Sequence, residues 1–359
     1  MPPVSSRLVF ARLTGAGLGN ELIVLAKAYL ASCALGFRLV RPSWMLNGRG
    51  YWRYFYRTPI GGLGGELARR MIPTLIFDDD AYHETAVVDY GEAVLAWASA
   101  NDLMHRRRLA IECEGLWGSR IALDASREFI RGTLLGTRFT QSNITEFLGR
   151  RDPRKLLVGV HVRRGDFASP RQADAASLRG KGNTATPLEW FVRVCESLAQ
   201  GFGEHAQFAV FSDASQQELV PLISAVNALT TFGQHHTDCS DVLLMSLCDV
   251  LVCSASSYSL LATWLSDRPY VLPEAQCCLE DGWFSLWGNH PWERSASGLT
   301  SRNTSAAALN QGTLIWRGVP VEANGAVPQY LVAHLETLFG LKDRRTDLMY
   351  CGVVPRSAL

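Results

Sequence analysis

Segments of two different periodicities alternate along the chain. Residues 7–13 (RLVFARL) form an apolar run typical of a strand. Residues 21–35 (ELIVLAKAYLASCAL) then repeat apolar side chains at helical spacing as far as Gly36, after which FRLV begins another strand. A second series begins at residues 156–162 (LLVGVHV) and alternates in the same way as far as residues 270–273 (YVLP). Because strands that alternate with helices pair in parallel, the pattern predicts an α/β fold with parallel sheets covered by helices.

The polar stretch RRDPRK, residues 150–155, separates the two series and carries a proline just before the second begins. We therefore predict a domain boundary here, with residues 1–150 in one domain and residues 151–359 in another. A chain of 359 residues with 47% hydrophobic content can supply the cores of two such domains. We expect the last segment of the second domain to pack back on the first.

The formal net charge of +1 argues against a nucleic-acid-binding protein that works by bulk electrostatics. Nine cysteines without CxxC spacing are too sparse for a disulfide scaffold or a zinc site. No basic flank followed by an apolar segment stands at the N-terminus, and no other stretch reaches the roughly 18 apolar residues of a membrane span. These observations favour a cytoplasmic protein.

Three polar motifs follow predicted strands, at the edge of a parallel sheet where ligands bind. The first is GAGLGN, residues 15–20, whose glycines allow backbone amides to approach an anion at a helix N-terminus. It fails the dinucleotide fingerprint because Asn20 stands where that fingerprint needs glycine, and no acidic residue follows at ribose-binding distance. NAD is therefore disfavoured, and an ordinary tight turn is the alternative.

The second motif is HVRRGD, residues 161–166, which directly continues the predicted buried strand. Arg163 and Arg164 provide two permanently charged planar donors that suit phosphate oxygens. A structural arginine pair bridged by Asp166 is one alternative. The adhesion tripeptide Arg-Gly-Asp is another, but it needs an exposed loop tip, whereas this one follows a buried strand.

The third motif combines FSDAS, residues 211–215, with the segment from Asp241 to Leu265. Asp213 ends a predicted strand, where its carboxylate can accept paired hydrogen bonds from the edge of a guanine. Ser256 or Ser257 is expected to cap the helix SYSLLATWL and to direct amides and hydroxyls towards a ligand. Together with the arginines, these groups predict a cradle for a nucleoside diphosphate.

The order GLGN, HVRRGD, FSD and D-x-x-x-M-S-x-C…SASSYS resembles the fucosyltransferase superfamily, which includes the bacterial alpha-1,2, the alpha-1,6 and the protein O-fucosyltransferases. The similarity is greatest to the alpha-1,2 type, with its HxRRGD motif. The resemblance implies a GT-B fold of two Rossmann-like domains facing a cleft, with GDP-fucose as the donor. It also implies inversion at the anomeric carbon, no metal, and a glycan or glycolipid acceptor on the N-terminal domain.

The resemblance also implies roles for individual residues. Arg163 would hold the β-phosphate of the donor and stabilise the charge that develops there as GDP leaves, which makes it the predicted catalytic residue. The remaining donor-binding positions are Gly19 and Asn20 near the same phosphate, His161 and Asp213 near the guanosine, and Ser256 and Ser257 near the pyrophosphate. Arg164 is expected to make either a second phosphate contact or an ion pair with Asp166.

Two departures leave the catalytic base and the acceptor open. Glu21 stands where the alpha-1,2 enzymes usually have glutamine, and SYSLLATWL replaces their tryptophan-bearing segment. The glutamate that the alpha-1,6 enzymes carry ten residues after the motif histidine is Arg171 here. Glu21 and Asp166 are the candidate bases, and a structural partner of the arginines is the alternative for Asp166.

Other patterns support competing functions. Asp78, Asp79 and Asp80 follow an apolar run and resemble the DxD motif of metal-dependent GT-A glycosyltransferases. A nucleotide-sugar-binding relative without turnover is a further alternative, because no base is assigned. The aromatic stretches at residues 51–57 (YWRYFYR) and 283–292 (WFSLWGNHPW) suit either a sugar cleft or core packing. With HRRR at residues 105–108, the first also suits peripheral contact with an anionic membrane surface at the cytoplasmic face.

Overall fold

The computed structural model describes residues 6–87, 89–116, 120–167, 184–266, 268–274, 278–280, 283–285 and 318–341. The chain divides into two compact units between Arg138 and Phe139. Each unit is built around its own parallel sheet.

The first unit contains a parallel sheet with the strand order β2-β1-β4-β3. Its strands are β1 (Ser6–Ala11), β2 (Arg38–Val40), β3 (Thr74–Phe77) and β4 (Arg108–Cys113). Its described helices are α1 (Leu18–Leu35), α2 (Trp52–Phe55), α3 (Leu63–Arg70), α4 (Asp79–Glu84), α5 (Tyr90–Ala100) and α6 (Arg127–Leu135), with 3-10 turns at Trp44–Leu46 and Arg120–Ser126.

Helix α1 ends at Gly36, whose φ of 64° is the left-handed conformation that glycine adopts without a steric penalty. Among the residues that the structure describes, α1 is the one helix long and apolar enough to cross a membrane by length and composition, and 78% of it is buried inside the protein.

The aromatic stretch at residues 51–57 contributes to the core of the first unit. Tyr51 and Tyr54 are buried, and the Phe55 ring stacks on Trp44 with centroids 4.2 Å apart. Core packing therefore accounts for these rings. The basic run at residues 105–108 leads into β4 rather than forming a helix face.

The second unit contains a parallel sheet with the strand order β12-β9-β8-β5-β6-β7. Its strands are β5 (Leu156–Val162), β6 (Ala206–Ser212), β7 (Leu229–Thr230), β8 (Val250–Val252), β9 (Tyr270–Pro273) and β12 (Gly318–Val321). An antiparallel pair, β10 (Cys278–Glu280) and β11 (Trp283–Ser285), is separate from it. The described helices are α7 (Thr140–Arg150), α8 (Leu188–Phe202), α9 (Gln216–Val226), α10 (Asp238–Ser246), α11 (Ser257–Trp264) and α12 (Gln329–Leu341).

The predicted fold class, α/β with two Rossmann-like parallel-sheet units, is confirmed. In the second unit the chain builds the sheet outwards from β5 through β6 to β7, and then returns to the other side of β5 to add β8, β9 and β12. This is the 3-2-1-4-5-6 order of doubly wound nucleotide-binding sheets. The chain reversal therefore lies between β5 and β8.

Helix α7 belongs to the second unit, so the boundary between the compact units precedes this helix, whereas the sequence analysis placed it at residue 150. The physical reason is packing of α7 on its own unit. Phe147 is buried against Phe211 of β6 with ring centroids 5.8 Å apart, and the Asn143 amide donates to the carbonyl of His235 at 3.0 Å.

The described part of the C-terminal segment completes the second unit. Strand β12 pairs with β9, and Leu331 and Leu335 of α12 enter the same core as Val194 and Leu198 of α8. That the last segment packs back on the first unit stays a prediction. Residues 342–359 lie outside the described residues, as do residues 286–292 of the second aromatic stretch.

Candidate functional site in the second unit

The carboxyl end of β5 lies at the chain reversal of the second sheet, between β8 on one side and β6 on the other. Ligands of doubly wound sheets bind beyond the carboxyl ends of the strands at such a reversal. The structure places His161, Arg163 and Arg164 at this end, with Asp213 directly after the neighbouring strand β6 and Ser256 after β8. These predicted site residues therefore come together at one edge of one sheet.

Arg163 is held on several sides. Its Nη1 donates to Asp213 Oδ2 at 2.5 Å, its Nη2 donates to Asp166 Oδ1, and its guanidinium carbon lies 5.3 Å from the centre of the Phe167 ring. Its backbone amide donates to Ser254 Oγ at 2.8 Å. The guanidinium is thus fixed in one orientation, with 21% of the side chain exposed.

Arg164 makes a separate set of contacts. Its amide donates to Asp213 Oδ1 at 2.8 Å, while its guanidinium donates to Glu218 Oε1 at 2.9 Å and to the carbonyl of Thr186 at 2.7 Å. Of the two arginines, Arg163 forms the ion pair with Asp166, and the Arg164 guanidinium pairs with Glu218. Glu218 did not emerge from the sequence analysis, although a signal was present. Ser215 and Glu218 have the spacing of a helix N-cap box, and Ser215 caps α9.

The turn at Gly165 explains why Asp166 pairs with Arg163. The φ of Gly165 is +24°, and a Cβ atom at this position would lie 2.1 Å from Asp213 Oδ2. Only glycine allows the chain to turn back here while the Asp213 carboxylate sits against the backbone. The turn carries Asp166 back to Arg163, so alternation along an extended strand no longer applies beyond Val162.

His161 is an enclosed neutral group. Its ring is 3% exposed, its Nδ1 lies 2.5 Å from Ser259 Oγ, and the Tyr258 ring lies 5.2 Å away. Burial lowers the pKa of His161 to about 3, and the nearby Arg163 charge acts in the same direction. With Nδ1 taken by Ser259, Nε2 is the nitrogen that remains for a ligand.

The low pKa of His161 predicts a pH-dependent loss of stability. Below about pH 6.5 the unfolded chain binds a proton that the folded chain does not accept until about pH 3, so stability falls as pH falls through this window. From pH 7 to pH 5, we expect the wild type to lose on the order of 2 kcal/mol more than His161→Gln. Urea denaturation at the two pH values measures this difference, with exposed His205→Gln as the control. Equal pH slopes in wild type and His161→Gln would contradict the assignment.

The serines after β8 organise the edge of the sheet. Ser256 caps α11 by accepting from the Tyr258 amide at 3.2 Å, which confirms the cap prediction and selects Ser256 over Ser257. Ser254 was missed by the sequence analysis. Its hydroxyl donates to the His161 carbonyl at 2.9 Å and accepts from the Arg163 amide, so it joins β8 to the end of β5. Its position directly after a buried strand was the available signal.

The glycine-rich loop of the first unit is organised around Glu21. Gly19 and Asn20 lie in the first turn of α1, and the fully buried Glu21 carboxylate accepts from the amides of Thr14 at 3.2 Å and Ala16 at 2.7 Å. The side-chain amide of Asn47 donates a further hydrogen bond to the Glu21 carboxylate at 3.1 Å. Burial raises the pKa of Glu21, and these hydrogen bonds oppose the rise. These two loop amides therefore donate to the protein's own carboxylate rather than to an external anion.

Two residues of the acidic run of the first unit, Asp78 and Asp79, have structural partners. Asp78 caps α4 by accepting from the Ala81 amide at 2.9 Å. Asp79 pairs with the buried Lys27 at 2.7 Å, and Lys27 also donates to the Gly115 carbonyl at 3.0 Å. Burial lowers the pKa of Lys27, and the Asp79 charge opposes this. In the part of the chain that the structure describes, no group of three or more His, Cys, Asp or Glu side chains is arranged to hold a metal ion.

No family model matches the sequence, and no curated protein matches it. Among solved structures, the chain is similar to a mutant of Arabidopsis thaliana FUT1 in complex with GDP, at 12% identity and a TM-score of 0.38, over 74% of this chain and 70% of that one. It is also similar to POFUT1 in complex with GDP-fucose, at 12% identity and a TM-score of 0.42, over 75% of this chain and 98% of that one.

Proposed function

We propose that the protein is a glycosyltransferase that moves fucose from GDP-fucose to a hydroxyl of a glycan or glycolipid, with inversion and without a metal ion. The observation that carries the proposal is the arginine pair at the end of β5. It lies at the chain reversal of a 3-2-1-4-5-6 sheet, beside the capped N-terminus of α11.

Departure of GDP places negative charge on the β-phosphate of the donor. A guanidinium fixed before the reaction stabilises that charge more in the transition state than in the ground state. Asp213 and Ser254 supply this fixation for Arg163. Asp166 is 53% exposed and is the partner that a diphosphate replaces on Nη2. We assign its carboxylate as the candidate base that accepts the proton of the acceptor hydroxyl. The enclosure of Glu21 favours a role in holding its loop instead.

Asp213 has two duties in this proposal. It already accepts from Arg163 and from the Arg164 amide, and each carboxylate oxygen has a second lone pair that can accept from the guanosine. Recognition of guanine predicts that Asp213→Ala weakens binding of GDP more than binding of pyrophosphate. If Asp213→Ala weakens binding of GDP and of pyrophosphate equally, Asp213 only positions the arginines and does not bind guanine.

The proposed charge stabilisation by arginine predicts that GDP binds and that transfer persists in EDTA. Calorimetry with GDP, and a transfer assay with GDP-fucose and a panel of glycan acceptors, test this directly. Loss of transfer on chelation and its return with Mn²⁺ would instead favour the metal-dependent alternative at Asp78 to Asp80. Binding of GDP-fucose without hydrolysis or transfer to any acceptor would favour a non-catalytic nucleotide-sugar-binding protein.

A further inference from the structure

The outer side of α3 carries apolar side chains in contact with solvent. Ile60, Leu67 and Met71 are 67%, 62% and 74% exposed. Leu67 and Met71 are four residues apart and share a helix face, and Ile60 lies on the turn that leads into the helix. We name these three residues the α3 stripe. An exposed apolar cluster of this kind is typical of a surface that contacts something else.

The α3 stripe does not attach the helix to its own unit. Ala68 and Ile72, each one residue further along the chain, do this by packing on Leu8, Phe10 and Ala110 of the sheet. The inward face therefore stabilises the fold, and the apolar side chains on the outward face have no part in this core cluster.

Exposed arginines surround the α3 stripe. Arg57 precedes it along the chain and Arg70 lies between Leu67 and Met71. Arg108 donates from Nη2 to the Met71 carbonyl at 3.3 Å, which places the basic run at residues 106–108 beside its end. The nearby carboxylates of Glu66 and Glu112 are both paired with Arg69, at 3.2 Å and 3.0 Å. The surface around the stripe therefore has an excess of positive charge.

We propose that the α3 stripe and its arginines form a docking surface for an anionic lipid bilayer. Apolar side chains that enter the boundary between headgroups and acyl chains, ringed by cations that attract anionic headgroups, match the two contributions to interfacial binding. Charge complementarity thus selects a bilayer as the occupant. The inference does not depend on the proposed enzymatic activity.

Vesicle flotation tests the proposal on the full chain. We expect binding to vesicles of phosphatidylcholine mixed with phosphatidylglycerol, weaker binding to phosphatidylcholine alone, and release at high salt. Leu67→Glu with Met71→Glu should lower partitioning about tenfold or more, because it removes apolar insertion and adds repulsion. Arg57→Glu with Arg70→Glu should lower it roughly fivefold for each arginine lost, on anionic vesicles only.

Matched controls lie on the second unit. Val220, 49% exposed on α9, provides Val220→Glu, and the exposed Arg154 provides Arg154→Glu. Both should bind vesicles as the wild type does, and unchanged unfolding midpoints show that all variants fold. Absence of vesicle binding, or equal binding by the stripe variants, would overturn the proposal. Light scattering adds a further outcome: a dimer that Leu67→Glu separates, without vesicle binding, would make a second copy the occupant and also overturn it.

Discussion

Replacing Arg163 by lysine is expected to lower turnover by on the order of 10²-fold or more, about 2.7 kcal/mol of transition-state stabilisation, while GDP still binds. Lysine keeps the charge but loses the planar fork that contacts Asp213 and Asp166 from two nitrogens. A lysine ammonium is a point charge on a flexible stem, so the charge is no longer fixed in one orientation where the leaving phosphate develops its own. Steady-state transfer kinetics with GDP-fucose, together with calorimetry of GDP binding, measure the two effects separately.

Arg164→Lys provides the matched comparison. The Arg164 amide keeps its bond to Asp213 in this variant, and only the contacts with Glu218 and the Thr186 carbonyl change. Its turnover should therefore fall much less. A larger fall for Arg164→Lys than for Arg163→Lys would assign the developing charge to Arg164. Unchanged turnover in both variants would remove the arginines from the mechanism.

Replacing Asp79 by leucine is expected to destabilise the protein by about 3–5 kcal/mol, because it leaves the buried Lys27 ammonium without its partner charge. Lys27 is fully buried and Asp79 is 14% exposed, so water cannot compensate for the loss. Lys27→Met combined with Asp79→Leu should recover much of the stability, since an apolar pair leaves no unpaired charge. Urea denaturation of the full chain measures the free energy of unfolding of the wild type, Asp79→Leu and the double variant.

Asp124→Asn is the control for this series, because it breaks an exposed ion pair with Arg127 in the same unit. We expect a much smaller change in stability from it. If Asp79→Leu were no more destabilising than Asp124→Asn, the Lys27 pair would not be a stability determinant. A double variant as unstable as Asp79→Leu would point to packing around leucine rather than to the lost charge.

The periodicity of the sequence was sufficient to predict the α/β fold and about half of the described strands and helices of the second unit. All seven residues of β5 are buried, and its uninterrupted apolar run at residues 156–162 indicated a strand covered on both faces. Ser256 was predictable as a cap because serine directly before an apolar helical segment satisfies its first amides. Such signals depend on neighbours in sequence, so they can be interpreted without a structure.

Contacts that depend on chain direction or on distant partners were not predictable in this way. The Asp166 partner followed from the turn at Gly165, and alternation along a strand says nothing about a residue beyond the strand end. Lys27 and Asp79 meet only because the sheet order brings their elements together. Glu21 has the residue type of a base, but its environment is set by the backward fold of residues 14–16 over its carboxylate.

The place of β12 in the second sheet has a consequence for synthesis of the chain. The strands of the first sheet all lie between Ser6 and Cys113, so that sheet can form early on a ribosome. In the second sheet, β9 at Tyr270–Pro273 receives its outer partner only when residues 318–321 have been made. Until then the backbone groups along that edge of β9 remain open to pairing with other chains. Translation through the intervening residues therefore prolongs the time in which this sheet edge of a nascent chain is open to aggregation and to chaperone binding.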